Sequence, residues 1–477
     1  MRKRLTVFAL VWMLLVPVAV CAGDLGGGSG GVPGTWYTGA SPAWIDPAKS
    51  PLVFVHGYNN SASVWWEGND MYETALAEGY QTAFIDLHPD RDMWENGLLL
   101  SQKLKTIYDF FGGKKLVVVA YSKGGVDTQT ALVHYGAHAY VSNVITLSTP
   151  HHGTQLSDLA YSSSAGWLAA LLGSQNDATR SLQTGYMTYY RTITDPHENV
   201  VRNKYYTLGG TKWGIFGSAL YWGGLYLSSY GPNDGVVTVA SSRVPGGTIV
   251  QEGKWNHTTI REGSYTFQVF KPFTGAGQQA VAYTAADGES PGINQIVKGG
   301  KADVAVKDSF VIEEAAKSFR LAFLSEQRLD GLKLEGPGGE EYEAVEIHQD
   351  RGGFFKGAWV HQFEVEAAKA GTWTVTGPAA VYFYTVAIDS PLGAKLKNGS
   401  LKAAYKTKWV HFGLDSKKKL KEIRKGTKAG KVKNGDFSEP GVYNLTTEVT
   451  GRGSEGKPFE RTLVESIYVD RSGKIHR

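Results

Sequence analysis

One serine of the chain lies in a sequence context that favours nucleophilic chemistry. Ser122 follows an apolar β-branched run, with Ala120 two positions before it and Gly124 two positions after it. A sharp turn from a strand into a helix can expose a hydroxyl above a buried sheet only if these two positions are small, because they face each other across the turn. The pattern A-x-S-x-G therefore predicts a nucleophile on such a turn. An exposed loop serine after any strand would fit these five residues as well.

A serine hydroxyl is a poor nucleophile near neutral pH and needs a histidine base that a carboxylate orients. When the serine lies on a strand-to-helix turn, the chain order is nucleophile, acid, histidine. His257 is the one histidine late in the region before residue 300, and it lies in the polar, glycine-bearing loop 252–258. This position predicts His257 as the base, with a solvent-exposed loop histidine as the alternative.

The orienting carboxylate must then come from the residues between Ser122 and His257. Asp127 falls on the helix expected directly after the nucleophile, so it cannot reach the later strands. Asp234 lies in the proline- and glycine-bearing turn 231–237, which can aim a carboxylate. We expect Asp234 to be the acid, although a plain turn aspartate is the simpler alternative. The remaining candidates are Asp158, Asp177, Asp195, Glu198 and Glu252.

Ester or amide cleavage through a serine also needs donors for the developing oxyanion, and loss of one donor costs about 3 kcal/mol. The first core strand ends in His56-Gly57-Tyr58. The backbone amides of Tyr58 and Lys123 are the natural pair of donors. We expect the His56 side chain to fix this loop by hydrogen bonding without taking part in the chemistry.

The elements that position these residues follow from the hydrophobic pattern. The chain has 477 residues, 42% of them hydrophobic, and this length predicts two or three domains. From 51 to 261, short apolar runs alternate with longer mixed segments, which predicts an α/β doubly wound fold with a parallel sheet covered by helices. The candidate strands are 52–55, 82–87, 116–120, 144–147, 205–208 and 248–251, and the candidate helices include 98–111 and 125–135.

After about residue 271 the pattern changes to alternating strands with Gly, Pro and Asp turns. This pattern predicts two antiparallel, Ig-like β-sandwich domains, at 300–389 and 390–477.

The beginning of the chain is typical of a secretory signal. Arg2, Lys3 and Arg4 precede a short apolar run that ends near Cys21-Ala22, which predicts a signal peptide over 1–22 and a secreted, extracellular protein. Residues 23–50 form a Gly-rich leader. Cys21 is the single cysteine, so cleavage after Ala22 leaves no disulfide or thiolate site; a lipoprotein signal at Cys21 is the weaker alternative. No later apolar run is long enough for a transmembrane helix.

Five motifs in a fixed order carry a resemblance. The segments VFVHGY (53–58), VVVAYSKGG (117–125), LSTPHHGT (147–154), GPNDGVV (231–237) and NHT (256–258) resemble bacterial secreted lipases and esterases of the α/β-hydrolase superfamily. The resemblance implies a catalytic domain over 51–275 without a cofactor. It implies Ser122 as nucleophile, Asp234 as acid and His257 as base, with an oxyanion hole at Tyr58 and Lys123. Gly124 and Gly125 would be the elbow glycines, and 149–153 would shape the pocket.

The segment 156–230 is apolar, aromatic and glycine-rich. Such an insertion suits a lid that contacts an acyl chain, although an ordinary buried helix pair would also fit. The apolar character favours carboxylic esters of hydrophobic acids. A phospholipid or a polyester could serve as substrate with the same three side chains. A non-catalytic protein that binds the cell envelope through a vestigial hydrolase domain is the alternative from another class.

Two further features bear on partners. His88, Asp90 and Asp92 could supply metal ligands, but a solvated turn is the simpler interpretation, and we expect no obligatory metal. Segment 395–433 contains fourteen Lys/Arg residues against Asp415 and Glu422. This basic segment could contact an anionic cell envelope, or it could be a solvated face of a β-domain. We expect no nucleic acid, because base-stacking motifs are missing from the sequence.

Overall fold

The computed structural model describes residues 31–275, 293–351, 354–453 and 456–477. The expected signal peptide lies outside these residues. Among the described residues, no helix has the length and apolarity needed to cross a membrane.

The first half of the chain is built on a seven-stranded sheet with the order β1-β3-β2-β4-β5-β6-β7. All neighbouring strands are parallel except the edge strand β1, which pairs antiparallel with β3. The strands are β1 (Trp36–Thr38), β2 (Leu52–Val55), β3 (Thr82–Ile85), β4 (Leu116–Tyr121), β5 (Val141–Leu147), β6 (Lys204–Gly210) and β7 (Thr248–Gly253).

The central strands are apolar on both faces, and every residue of β2, β3 and β4 is buried. Parallel sheets need such strands, because crossover helices cover both of their faces. The helices are α1 (Met71–Ala77), α2 (Met93–Phe110), α3 (Lys123–His134), α4 (Gln155–Ala160), α5 (Gly166–Leu171), α6 (Asp177–Ser181), α7 (Thr184–Thr194), α8 (Ala219–Leu227), α9 (Val239–Ser242) and α10 (Gly263–Phe270).

The insertion expected as one excursion over 156–230 is divided in two. Strand β6 lies inside that range and pairs with β5 and β7 in the main sheet. Helices α4–α7 therefore form one excursion and α8 forms another. The division agrees with the candidate strand 205–208 and differs from a single insertion over 156–230, because the bounds of that insertion include this strand.

The second half consists of antiparallel sheets, as predicted. One sheet has the order β11-β10-β14-β9-β13-β12, with β8 paired to β14, and the other has the order β16-β15-β17-β18-β19. The strands are β8 (Gln295–Ile312), β9 (Ser318–Ser325), β10 (Lys333–Glu335), β11 (Glu341–Glu343), β12 (Glu346–Gln349), β13 (Trp359–Val365), β14 (Gly371–Asp389), β15 (Ala403–Leu414), β16 (Leu420–Ala429), β17 (Gly441–Arg452), β18 (Pro458–Val469) and β19 (Ile475–His476), with helix α11 (Leu392–Lys397) between the sheets.

The two halves share one hydrophobic core. Side chains of the excursion helices, such as Leu156 and Trp222, pack in the same cluster as Phe355 and Phe383 of the first antiparallel sheet and Val442 of the second. The turn between β15 and β16 adds a polar contact, since the Lys419 Nζ lies 2.8 Å from the Asp177 Oδ2. Because buried apolar area is the main source of stabilisation, this shared core holds the antiparallel sheets against the excursion helices.

Candidate active site

Ser122 lies between the end of β4 and the start of α3, where the sequence pattern places it. Its backbone has φ 53° and ψ −133°, a conformation that non-glycine residues seldom adopt and that is found at functional sites. Small neighbours make the turn possible. A Cβ added at Gly57 would come within 2.6 Å of the Ser122 Cβ, and one added at Gly124 would overlap the carbonyl oxygen of His56. One added at Gly125 would collide with the Thr149 side chain.

The structure brings Ser122, His257 and Asp234 together. The His257 Nε2 lies 3.1 Å from the Ser122 Oγ, and the His257 Nδ1 lies 2.6 Å from the Asp234 Oδ2. All three side chains are buried, with Ser122 and His257 each 7% exposed. A neutral imidazole that donates from Nδ1 to the carboxylate can accept the serine proton at Nε2.

The Asp234 carboxylate is held by its own turn. Its Oδ1 accepts hydrogen bonds from the backbone amides of Val236 (2.9 Å) and Val237 (2.8 Å). The His257 amide donates to the Asp234 carbonyl at 2.9 Å, and the Tyr121 hydroxyl donates to the His257 carbonyl at 2.8 Å. Burial raises the pKa of Tyr121 to about 12, so it remains a donor. The acid and the base are therefore fixed relative to each other by main chain.

Two amide donors lie beside the hydroxyl. Lys123 is the first residue of α3, and the first N–H groups of a helix have no partner within it. Tyr58 follows Gly57, whose Cα is close to Ser122. The amide of Tyr58 donates to no residue in the described part of the chain. This geometry suits a hole for a negatively charged oxygen.

His56 fixes the loop that carries Tyr58. Its Nε2 accepts from the Leu87 amide at 2.9 Å, and its Nδ1 donates to the Gly57 carbonyl at 2.8 Å. Burial lowers the pKa of His56, so the ring is neutral and can make both bonds. The loop role expected from the sequence agrees with these contacts.

The sequence analysis missed a buried ion pair directly behind the nucleophile. The Lys123 Nζ lies 2.6 Å from the Asp127 Oδ1, and both side chains are almost fully buried. Asn96 donates to the other Asp127 oxygen at 3.0 Å. The i, i+4 spacing of Lys123 and Asp127 on one helix is the sequence signal for this pair.

The proposed metal ligands are used structurally. Asp92 caps helix α2 by accepting from the amides of Trp94 and Glu95, and the His88 backbone is bonded to Asn96. Among the residues that the structure describes, no cluster of three or more His, Cys, Asp or Glu side chains could hold a metal ion.

A loop of the second half of the chain lies over Tyr58, at the edge of the site. Phe354, between β12 and β13, packs its ring 5.5 Å from that of Tyr58, and Phe355 packs 5.6 Å from Trp222 of α8. Burial raises the pKa of Tyr58. The motif pattern gave no signal for this cover, because no sequence rule links a loop near residue 354 to a site built from residues 58–257.

A doubly wound sheet whose β4–α3 turn carries a serine defines the α/β-hydrolase superfamily. Among solved structures, the chain is similar to the Bacillus licheniformis lipase BlEst2 in its propeptide form, with 39% identity over 93% of this chain and 99% of that one and a TM-score of 0.84. It is also similar to the mature form of the same lipase, with 54% identity over 51% of this chain and 100% of that one and a TM-score of 0.50. The chain matches no family model and none of the curated proteins compared with it.

This similarity extends over nearly the whole of both chains. The chain therefore belongs to the α/β-hydrolase lipase family that includes this Bacillus licheniformis enzyme. It is a carboxylic ester hydrolase of the lipase/esterase class.

Proposed function

We propose that the protein is a secreted lipase or carboxylesterase that cleaves esters of apolar acids through an acyl-enzyme on Ser122. The observation that carries the proposal is the continuous chain of hydrogen-bond distances from Ser122 through His257 to Asp234. In this mechanism His257 removes the serine proton as the oxygen attacks the ester carbonyl. Asp234 stabilises the imidazolium, and the amides of Tyr58 and Lys123 stabilise the oxyanion.

The protonated His257 gives the serine proton to the leaving alcohol. His257 then activates a water that attacks the acyl-enzyme, which releases the acid and regenerates Ser122. The aromatic and aliphatic residues of α4, α5 and α8 lie beside the site in the shared core, and they favour an apolar acyl group. A phospholipid or a polyester remains the alternative substrate, and a vestigial binding domain the alternative of another class.

The substitution Ser122→Ala tests this proposal. It should reduce hydrolysis of p-nitrophenyl esters, from acetate to oleate, to the background rate and abolish labelling by a fluorophosphonate, while thermal unfolding is unchanged. Ser142→Ala is the matched control and should keep full activity. That half-buried serine lies near the start of β5, whereas Ser122 follows the end of the neighbouring strand β4. Turnover retained by the Ser122 variant would exclude the mechanism.

We also propose that residues after 292 are a propeptide. The relative was solved in a propeptide form that aligns with 93% of this chain and a mature form that aligns with 51% of it. The position of Phe354 against Tyr58 supports the same division, because the second half lies over the first half's candidate site. The domain boundaries 51–275, 300–389 and 390–477 fit this division.

Export through the amino-terminal signal is part of the proposal. The basic start and the short apolar run support it. Amino-terminal sequencing of protein collected from the medium should begin at residue 23. A chain that stays in the cell, or one that keeps Met1, would contradict export through this signal.

A further inference from the structure

A cleft runs along the boundary between the two halves, on the side of α5 and the β15–β16 hairpin. Its volume is about 810 Å³, within the range of roughly 300–1,000 Å³ that small-molecule sites occupy. We call it the joint cleft. It is separate from the candidate active site, since none of Ser122, His257 or Asp234 lines it.

The inner surface of the joint cleft is apolar and contributed by both halves. Trp167 and Ala170 of α5 lie on one side, and Val410, Phe412 and Leu420 lie on the other. Trp167 is 67% exposed. A large aromatic side chain left so exposed beside a cavity favours a ligand with a long apolar portion.

The rim of the cleft is cationic. Arg180, Lys408, Lys421 and Lys425 line it, against the single acidic residue Glu422. Lys408 pairs with Glu448 at 3.0 Å, Lys425 with Glu422 at 3.2 Å and Arg180 with Asp177 at 3.7 Å. Within the described chain Lys421 forms no ion pair, so an anionic group at the rim would find a positive charge that is not already neutralised.

Two buried polar atoms of the lining residues also lack a partner among the described residues. They are the Nε of Arg180 and the Oγ of Ser163. A guanidinium N–H is a strong donor to carboxylates. An unused donor of this kind beside an apolar surface suits a ligand that is apolar along its length and anionic at one end.

We propose that the joint cleft binds a long-chain fatty acid anion, with the alkyl chain between Trp167 and Phe412 and the carboxylate at the cationic rim. The choice of a fatty acid rests on the proposed function, because that reaction releases such acids. The ligand would contact both halves at once. Binding would therefore stabilise the full-length form by mass action.

The test uses full-length Ser122→Ala protein, in which no turnover takes place, with oleate and 9,10-dibromostearate below their micellar concentrations. Calorimetry should show saturable binding in the micromolar range. Dibromostearate should quench tryptophan fluorescence, and Trp167→Phe should remove most of that quenching. Trp44→Phe is the matched control, because Trp44 is equally exposed and distant from the cleft. Quenching that Trp167→Phe leaves unchanged would overturn the site.

The carboxylate contact is tested separately. Lys421→Gln/Lys425→Gln should weaken oleate binding about tenfold, as expected for the loss of charge-assisted contacts. Lys431→Gln/Lys433→Gln, in the same basic segment but outside the cleft, should have no effect. Oleyl alcohol tests the same contact without a substitution, because it lacks the carboxylate. It should bind at least about tenfold more weakly than oleate.

Equal affinity for the alcohol and the acid would overturn the proposal, as would equal losses in the two lysine pairs. Binding only to phosphatidylglycerol vesicles, without saturation by free oleate, would instead assign the cleft to a membrane surface. Because binding is measured without turnover, a negative result here leaves the proposed catalytic function standing, and inactivity of wild-type protein leaves the cleft testable.

Discussion

Lys123 bears on both the proposed catalysis and the stability of the fold. Its amide faces the proposed oxyanion site, whereas its ammonium group is buried against Asp127. Burial raises the pKa of Asp127, and the neighbouring Lys123 opposes that rise. Removing one partner of a buried pair typically costs about 3–5 kcal/mol, because the other charge is left without compensation.

We therefore expect Lys123→Met to lower the free energy of unfolding by about 3–5 kcal/mol, and Lys123→Met/Asp127→Asn to recover most of that loss. The backbone amide remains in both variants, so kcat per folded molecule should change only a few-fold. Urea unfolding and active-site titration with a fluorophosphonate measure the two quantities. A double variant as unstable as the single one would show that the charge of Asp127 is not the cause.

At the level of elements, the contact between α4, α7 and β18 joins the halves through polar groups. The buried Asp158 of α4 accepts hydrogen bonds from the amide (2.9 Å) and hydroxyl (2.7 Å) of Thr184. The same hydroxyl oxygen lies 3.1 Å from the Ser466 carbonyl oxygen. Because a hydroxyl has one proton, it donates to that carbonyl only when a protonated Asp158 donates to it in turn. Burial raises the pKa of Asp158 to about 7 and that of the nearby Glu465 above its ordinary value.

This contact should make stability depend on pH. Between about pH 4 and pH 7 the folded chain keeps a proton on Asp158 that the unfolded chain has lost, so the free energy of unfolding falls as the pH rises through this range. Asp158→Asn should flatten most of the slope, and Glu465→Gln should remove a smaller part. Urea unfolding at a series of pH values measures this slope. A slope of the same size in the Asp158 variant would refute the assignment.

The elements around the site were predictable because their signals are local. A particular backbone geometry is required by the small residues around Ser122, by the loop of His257 and by the turn of Asp234. The order of the motifs along the chain relates these three segments to one another. The candidate strand 205–208, which becomes β6, follows from an equally local signal. The packing of Phe354 on Tyr58 joins residues distant in sequence, and no periodicity reports such contacts. Part of the basic segment also has an internal role, since Lys419 binds Asp177 at 2.8 Å and Lys418 lies 3.6 Å from the Trp94 ring.

For the whole molecule, the arrangement of the two halves predicts low activity in the full-length chain. A chain with a protease site introduced between residues 275 and 293 should hydrolyse p-nitrophenyl butyrate several-fold faster after cleavage and separation of the halves. Phe354→Ala/Phe355→Ala should raise the uncut rate in part, because these rings pack on Tyr58 and Trp222. The doubly substituted Phe110→Ala/Phe111→Ala chain, altered at the far end of α2, is the control. Equal rates before and after separation would contradict a covering role.

The shared core has a further consequence for an enzyme that loses its second half. Leu156, Leu168, Tyr186 and Trp222 pack in one cluster with side chains of the second half, so removal of that half would increase their exposure. Uncovered, these side chains would form an apolar face on the excursion helices. If the second half is removed as proposed, that face would let the remaining enzyme adsorb to an oil droplet.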